Sequence, residues 1–365
     1  MKSVLQEISE PKNFDAFIQE QMKISTYTPE WKKEMDTDYT ASGSFSEMVG
    51  EYTAAQAGSF IAKNADKPLQ AMPDLGTITG SIGRLGDRWQ LDNERLDKLM
   101  YLEGRYRDRA GNFSNERKAS EWQKVLKFLF DPFEKAAIAP HKRLDLLYFN
   151  GLSNGQYVVN LSNNPDGIQW SLDLKIPTLK LRSSDVLFAD AANSDPVAVL
   201  QYHTLKLRAK GKVVTKYQMN FTEAQKILES ARIKSAFSVD VSKGRVSPSG
   251  IVSTEMLNNY FKVVGLAPIE IVDIFIGMPD QTVENAFKDN RIVFRTAASV
   301  AKLMVKDPLE SKDPHPNKAY SIYEDNLISS YRREEGRFTE YEMQALPVFN
   351  GRNDFAILRT DEKDA

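Results

Sequence analysis

The sequence predicts an α+β fold, with helices and strands gathered in blocks rather than in strict alternation. Three observations predict it. Start signals recur at Asp195-Pro196, at Thr222-Glu-Ala-Gln225 and at Ser253-Thr254-Glu255, each ahead of apolar residues at helical spacing. Residues 152–190 read instead as short strands. The C-terminal section from Tyr320 to Thr360 is again strand-like.

The elements follow in order. Residues 1–66 are polar with scattered apolar anchors. A short helix is expected from Asn13, with Phe14, Phe17 and Ile18 on one face. Thr26 to Ser42 has little periodicity. Ser44-Phe-Ser-Glu47 reads as a capping box, predicting a helix with Phe45, Met48, Tyr52 and Ala55 on one face. Such a segment buries little alone and is expected to lean on the rest of the fold or on a neighbouring subunit. Residues 67–91 carry glycines at 76, 80, 83 and 86 among Thr77, Ile78, Thr79 and Ile82, which predicts an extended, hairpin-like loop. Asp92 caps a helix bearing Leu96, Leu99, Met100 and Tyr106 that ends near Gly111. A longer helix starts around Ser114–Glu116, with Trp122, Val125, Leu129, Phe133 and Ala136 as its stripe. Pro132 and Pro140 are expected to kink or interrupt it before it resumes with Leu144, Leu147 and Tyr148 and stops at Asn150-Gly151.

Strands are expected at Tyr157–Leu161, Ile168–Leu174 and Val186–Phe188. The helix opened by Asp195-Pro196 carries Leu200, Thr204 and Leu207, and Gly211 closes it. Lys206, Arg208 and Lys210 complement its C-terminal dipole. The Thr222 capping box precedes Ile227, Leu228 and Ala231. Met256, Leu257, Tyr260, Phe261 and Val264 then recur at helical spacing, Gly265 ends that helix, and Pro268 forbids its continuation. Ile269–Ile276 reads as one apolar strand, Gly277–Asn290 as a polar loop, and Arg291–Thr296 as a second strand. A Pro/Asp-rich loop, Lys306–Asn317, leads to the final strands at Tyr320–Tyr331, Arg337–Leu346 and Asp354–Thr360.

Composition excludes several function classes. The chain has 365 residues, 41% of them hydrophobic, enough for two or three packing units. Its 48 basic residues nearly balance 50 acidic ones, so no global charge drives it toward nucleic acid or an anionic membrane. The absence of cysteine removes disulfides, thiolate metal sites and a cysteine nucleophile. The N-terminus has no apolar stretch typical of a signal peptide, and no window predicts a membrane span.

Candidate sites have plain structural readings. Gly80-Ser-Ile-Gly83-Arg-Leu-Gly86 lacks the lysine and the adjoining helix start of a phosphate loop, so it reads as an extended loop. His141, His203 and His315 lie far apart and read as packing or surface residues. No Gly-x-Ser-x-Gly elbow supports a serine hydrolase. Arg105, Arg107, Arg109, Arg117 and Lys118 interleave with Asp108 and Glu116, as expected of a solvated or inter-subunit ion-paired surface. Arg332-Arg333-Glu334-Glu335 reads as a self-compensating turn. No catalytic, cofactor-binding or metal-ligating residue is assigned.

The order of elements resembles the major capsid proteins of tailed bacteriophages, the Hong Kong 97 fold. Three stretches carry the likeness: Leu144–Gly155, a helix end with a glycine-rich turn; Leu257–Ile276, helix, Gly-Leu-Ala-Pro and strand; and Glu342–Phe349 followed by Phe355–Leu358. The resemblance implies an N-terminal arm at 1–66, an extended E-loop at 67–91, a spine helix and peripheral domain at 92–182, an axial domain at 183–319, and a return to the peripheral domain at 320–365.

By that resemblance the chain is a structural protein of the virion, not an enzyme, with no cofactor. It is expected to assemble in the host cytoplasm, through hexamers and pentamers of itself, into an icosahedral shell around double-stranded DNA. Its implied partners are further copies, scaffold, portal and decoration proteins, and DNA contacted without regard to sequence, with no membrane. Some relatives crosslink a lysine to an asparagine between subunits, but Lys67, Asn350 and Asn353 have no assignable acidic catalyst, so that chemistry is not carried over. The arm is expected to be unprocessed. An encapsulin-type compartment shell and an unrelated α+β enzyme are the alternatives.

Overall fold

The computed structural model describes residues 10–25, 27–41, 44–50, 75–109, 115–165, 167–237, 252–278 and 281–364. The chain is α+β and forms two compact units: Met1–Phe45, Gly80–Leu144 and Leu303–Pro347 make one, and Ser46–Thr79, Asp145–Lys302 and Val348–Ala365 the other.

The first unit is built on a seven-stranded sheet. Its path runs Asp36–Tyr39, Lys302–Lys306, Gly336–Val348, Asn326–Arg333 and Ala319–Tyr323. The 13-residue strand Gly336–Val348 also pairs, antiparallel, with Arg88–Asp92 and Arg84–Leu85. Gly336 is required at one crossing: it has φ +143, and a Cβ there would sit 2.2 Å from the Leu91 carbonyl oxygen. The N-terminal helix, Pro11–Ile24, starts on a proline at its first turn. Phe14 and Ile18 are both fully buried and pack with Phe133 and Ala137 of the long helix and Ile328 of the sheet. Two such side chains contribute about 3–6 kcal/mol together, enough to fasten this helix to its own chain. Leu91, Leu96 and Leu99 bury against Val125 and Leu129, seating Asn93–Arg109 on the long helix. Asp92 caps it through the backbone N–H of Arg95, at 2.8 Å.

The long helix, Asn115–Asn154, is 40 residues, about 60 Å at 1.5 Å per residue. It runs on without a break through Pro132 and Pro140, where a kink or an interruption was expected. A proline leaves the carbonyl four residues earlier without its helical donor. For Pro140 that carbonyl is Ala136, and the buried Asn326 side chain donates to it at 2.8 Å. Asn326 is aimed by a two-residue hairpin turn in which Glu324 and Asp325 both take positive φ, the geometry that matches strand twist.

The second unit holds a five-stranded sheet in the order Ile269–Ile271, Lys216–Met219, Arg291–Arg295, Phe355–Lys363, Thr178–Leu181. Its outer pairs are parallel and its inner pairs antiparallel. Helices Pro196–Ala209, Phe221–Glu229, Ala231–Phe237 and Thr254–Val263 cover it, with Leu200, Ile227, Ile233, Leu257 and Phe261 packed on Tyr217, Phe294 and Leu358. Asp195 and Ser253 cap two of these helices, accepting from Ala198 and Met256 N–H at 3.0 and 3.2 Å. Gly265 takes φ +77 at the end of the last one.

Several sequence expectations are corrected. Ser44–Gly50 is a strand paired with Leu75–Ser81, not a helix, because a remote partner outweighs a local cap signal. Tyr52 and Ala55 lie outside the described residues. The long helix ends at Asn154, before Gly155 with φ +74, rather than at Gly151. Gly151 is a packing position: a Cβ would meet the rings of Phe349 and Tyr157 at 2.7 Å. Val186–Phe188 forms no strand, because Asp185 turns back onto the Arg182 backbone N–H at 3.0 Å and onto its guanidinium. Asn220, not Thr222, caps its helix, accepting from Glu223 N–H at 2.9 Å. Ile269–Ile276 divides into Ile269–Ile271 and Phe275–Gly277, which belong to different sheets. Asp273 makes the corner by accepting from Phe221 N–H at 3.2 Å and Asn285 Nδ2 at 2.8 Å. The polar loop holds a further strand, Val283–Asn285, closing a hairpin on Phe275–Gly277.

Candidate functional site

A polar cluster of the first unit sits where Ala319–Tyr323, Asn326–Arg333 and Gly336–Val348 lie side by side. Lys318 Nζ donates to both Glu310 oxygens at 3.0 Å and to Glu340 Oε1 at 2.6 Å. Tyr320 adds a hydrogen bond to Glu310 at 2.9 Å, and Tyr331 one to Glu340 at 3.1 Å. Burial opposes ionisation of Glu310, but the hydrogen bonds from Lys318 and Tyr320 outweigh it and hold the carboxyl below its usual range. Burial likewise opposes the charge on Lys318, and the two carboxylates outweigh it, raising the ammonium. Arg84 pairs with Glu342 at 2.6 Å beside it, and the Tyr341 hydroxyl donates to Asp87 at 2.6 Å. Burial first, then the Asp87 charge, pushes that phenol far above its ordinary value. Of these, Arg84, Asp87, Glu310, Glu340, Tyr341 and Glu342 line a cleft of about 520 Å³. Lys318 bridges Glu310 and Glu340, Arg84 meets Glu342, and Asp87 meets the Tyr341 hydroxyl, contacts that tie neighbouring strands together.

The sequence-flagged residues disperse. Arg84 and Leu85 of the glycine-rich stretch form a short strand on Met343 and Gln344, and a Cβ at Gly86 would stand 3.1 Å from the Tyr341 carbonyl. His141 is fully buried, stacked on Trp31 with ring centroids 5.9 Å apart, and burial together with the Lys32 charge lowers it to about 4. His203 packs edge-on to Phe294, and burial foremost lowers it to about 4. His315 is exposed and accepts from the Asn317 backbone N–H at 3.2 Å. Among the described residues no group of three His, Cys, Asp or Glu side chains is placed to hold a metal ion. The side chains of Arg105, Arg107, Arg109, Arg117 and Lys118 lie outside the described set. Of the expected turn Arg332-Arg333-Glu334-Glu335, the two glutamates form the turn and the two arginines end the strand Asn326–Arg333.

Two other features bear on function. Ser44–Gly50 and Leu75–Ser81 pair with each other and, among the described strands, with no sheet of either unit. On the hairpin Phe275–Gly277/Val283–Asn285, Phe275 and Val283 are 63% and 67% exposed. Sequence reasoning missed the Lys318 cluster, whose members are spread from 310 to 340; the only local signal is Lys318 flanking an alternating strand.

No family model matches the sequence, and no curated protein matches it. Solved structures do. The putative capsid protein of a prophage of E. coli CFT073 is similar at 9% identity over 79% of each chain, with a TM-score of 0.48. The capsid of Myoviridae phage XM1 is similar at 11% identity over 92% of this chain and 97% of that one, with a TM-score of 0.46. The procapsid of satellite phage P4, which includes a size-determination protein, is similar at 8% identity over 95% and 99%, with a TM-score of 0.42. Among the described residues no helix is long and apolar enough to cross a membrane.

Proposed function

We propose that this chain is a shell-forming major capsid protein that assembles with copies of itself, through hexamers and pentamers, around double-stranded DNA. One observation carries the reading. The ribbon of Ser44–Gly50 and Leu75–Ser81 joins no other described strand of its own chain. A two-stranded ribbon alone is marginal in water and gains stability when a further surface covers it. A neighbouring copy supplies that surface repeatedly and at modest cost per contact, which is what an error-correcting shell requires. A second support is the hairpin that exposes Phe275 and Val283, apolar surface that a neighbouring copy would cover. The Lys318 cluster, which ties strands together, fits a scaffold role.

Scaffold, portal and decoration proteins, the virion location and assembly in the host cytoplasm belong to the same proposal. The test is negative-stain microscopy of the purified chain, alone and with scaffold. Rings of five or six subunits, or closed shells, are expected. A monomer under every assembly condition overturns the proposal. Shells that package a protein instead of nucleic acid would assign the same assembly to a compartment.

A further inference from the structure

The geometry points to an oxyanion site at the hairpin end of the seven-stranded sheet, where Arg332 and Arg337 would hold a phosphate dianion, free or as a phosphomonoester. Strand register sets these two residues directly opposite one another. Side chains so placed share a face of the sheet, with Cβ atoms about 4.5–5.5 Å apart, and like charges there repel.

The neighbouring arginines are accommodated. Arg84 pairs with Glu342, and Arg88 and Arg333 lie over the Phe338 and Tyr331 rings at 5.1 and 5.2 Å. Among the described residues Arg332 and Arg337 have neither an ion pair nor a ring, and Glu334 and Glu335 of the connecting turn do not reach them. Arg337 Nη1 donates to Ser330 Oγ at 3.2 Å, while its buried Nε meets no acceptor. Burial first, then the like charge of Arg332, lowers the Arg337 guanidinium, and among the described residues no carboxylate offsets them.

The surround is firm. The strand that carries Arg337 is paired on both sides there, with Arg332 on one neighbour and Leu91 on the other. Leu91 is buried with Leu96, Leu99, Val125 and Leu129. Ser330 and Thr339, opposite each other one step along the same face, are also buried. Donors set on paired strands hold their geometry better than donors on a loop. Arg332 is exposed, which leaves the pair open to solvent.

The donor set selects the ligand. Planar guanidinium forks match phosphate oxygens through paired N–H groups. A phosphate dianion balances both cations and offers several strong acceptor oxygens. A carboxylate carries one charge on two oxygens, so it leaves one arginine uncompensated. A phosphodiester also carries one charge per phosphate, which separates this site from a DNA backbone contact. The site lies within one unit of one chain and does not rest on the shell reading.

Isothermal titration calorimetry of the unassembled full chain, at constant ionic strength and alkaline pH, tests this. The probes are inorganic phosphate and glycerol phosphate, with acetate and a short DNA duplex as comparisons. Saturable binding of a phosphate probe is expected, and the tighter of the two identifies the source as free ion or monoester. Arg332→Ser should weaken it about 10- to 100-fold, the loss of a pair of charge-assisted hydrogen bonds. The same change removes a repulsion, so it should raise Tm in phosphate-free buffer, where loss of a merely structural arginine would lower it. Arg332→Lys keeps the charge without the fork and should bind between wild type and Arg332→Ser. A folded wild-type chain with no saturable phosphate binding overturns the proposal. So does acetate, or duplex DNA per phosphate, binding as tightly, and so does an affinity unchanged in Arg332→Ser.

Discussion

Replacing Asn326 by alanine should unpair the Ala136 carbonyl inside the long helix. Asn326 is fully buried, and its amide donates to that carbonyl at 2.8 Å in place of the N–H that Pro140 lacks. A buried acceptor stripped of its partner costs about 1–3 kcal/mol. Pro140→Ala returns an N–H to the position four residues after Ala136, so the same Asn326→Ala change should cost less there. Packing lost on removing the proline ring and helix propensity gained by alanine occur in both backgrounds and cancel in the double-mutant cycle. A coupling energy of about 1–2 kcal/mol is expected, read from urea unfolding of the unassembled subunit. Coupling within about 0.5 kcal/mol of zero would refute the idea that Asn326 carries the helix past Pro140.

Gly151→Ala should destabilise the subunit by about 1–3 kcal/mol through overpacking against Phe349 and Tyr157, whose rings would stand 2.7 Å from the new Cβ; a thermal shift indistinguishable from zero contradicts this. Stability should fall as the pH drops from 6.5 toward 4. His141 is held to about 4 in the folded state by burial and the Lys32 charge, against 6.5 when unfolded, so below 6.5 the unfolded chain binds more protons. The loss amounts to about 3 kcal/mol at most for His141, and His141→Phe should flatten the pH profile of Tm in that window. Phe275→Asp combined with Val283→Asp should leave the monomer's unfolding curve unchanged and abolish rings in the microscope; normal rings would remove the hairpin from the assembly surface.

Features whose cause is local were legible in the sequence. Asp195, Ser253 and Gly265 act within one helical turn, and each does what its residue type predicts. The misses share a different physics. Ser44 reads as a cap until its strand partner at Leu75–Ser81 is known. Gly151 reads as a stop until Phe349 is seen against it. Pro140 reads as a break because its remedy, Asn326, lies 190 residues from the carbonyl it serves.

Each of the two large sheets ends on a strand that an amide side chain partly covers. Ile269–Ile271 and Ala319–Tyr323 each end a sheet, and an open sheet margin invites a foreign strand. Asn258 of helix Thr254–Val263 occupies the backbone N–H and C=O of Ile269, at 2.7 and 3.0 Å, as a strand would. Gln19 of the N-terminal helix takes the Ile322 carbonyl at 2.7 Å. Both margins are thus partly plugged by amides from the chain's own helices. On the proposed shell role, copies would then meet through side-chain surfaces, which separate readily, rather than through backbone ladders that lock into fibrils.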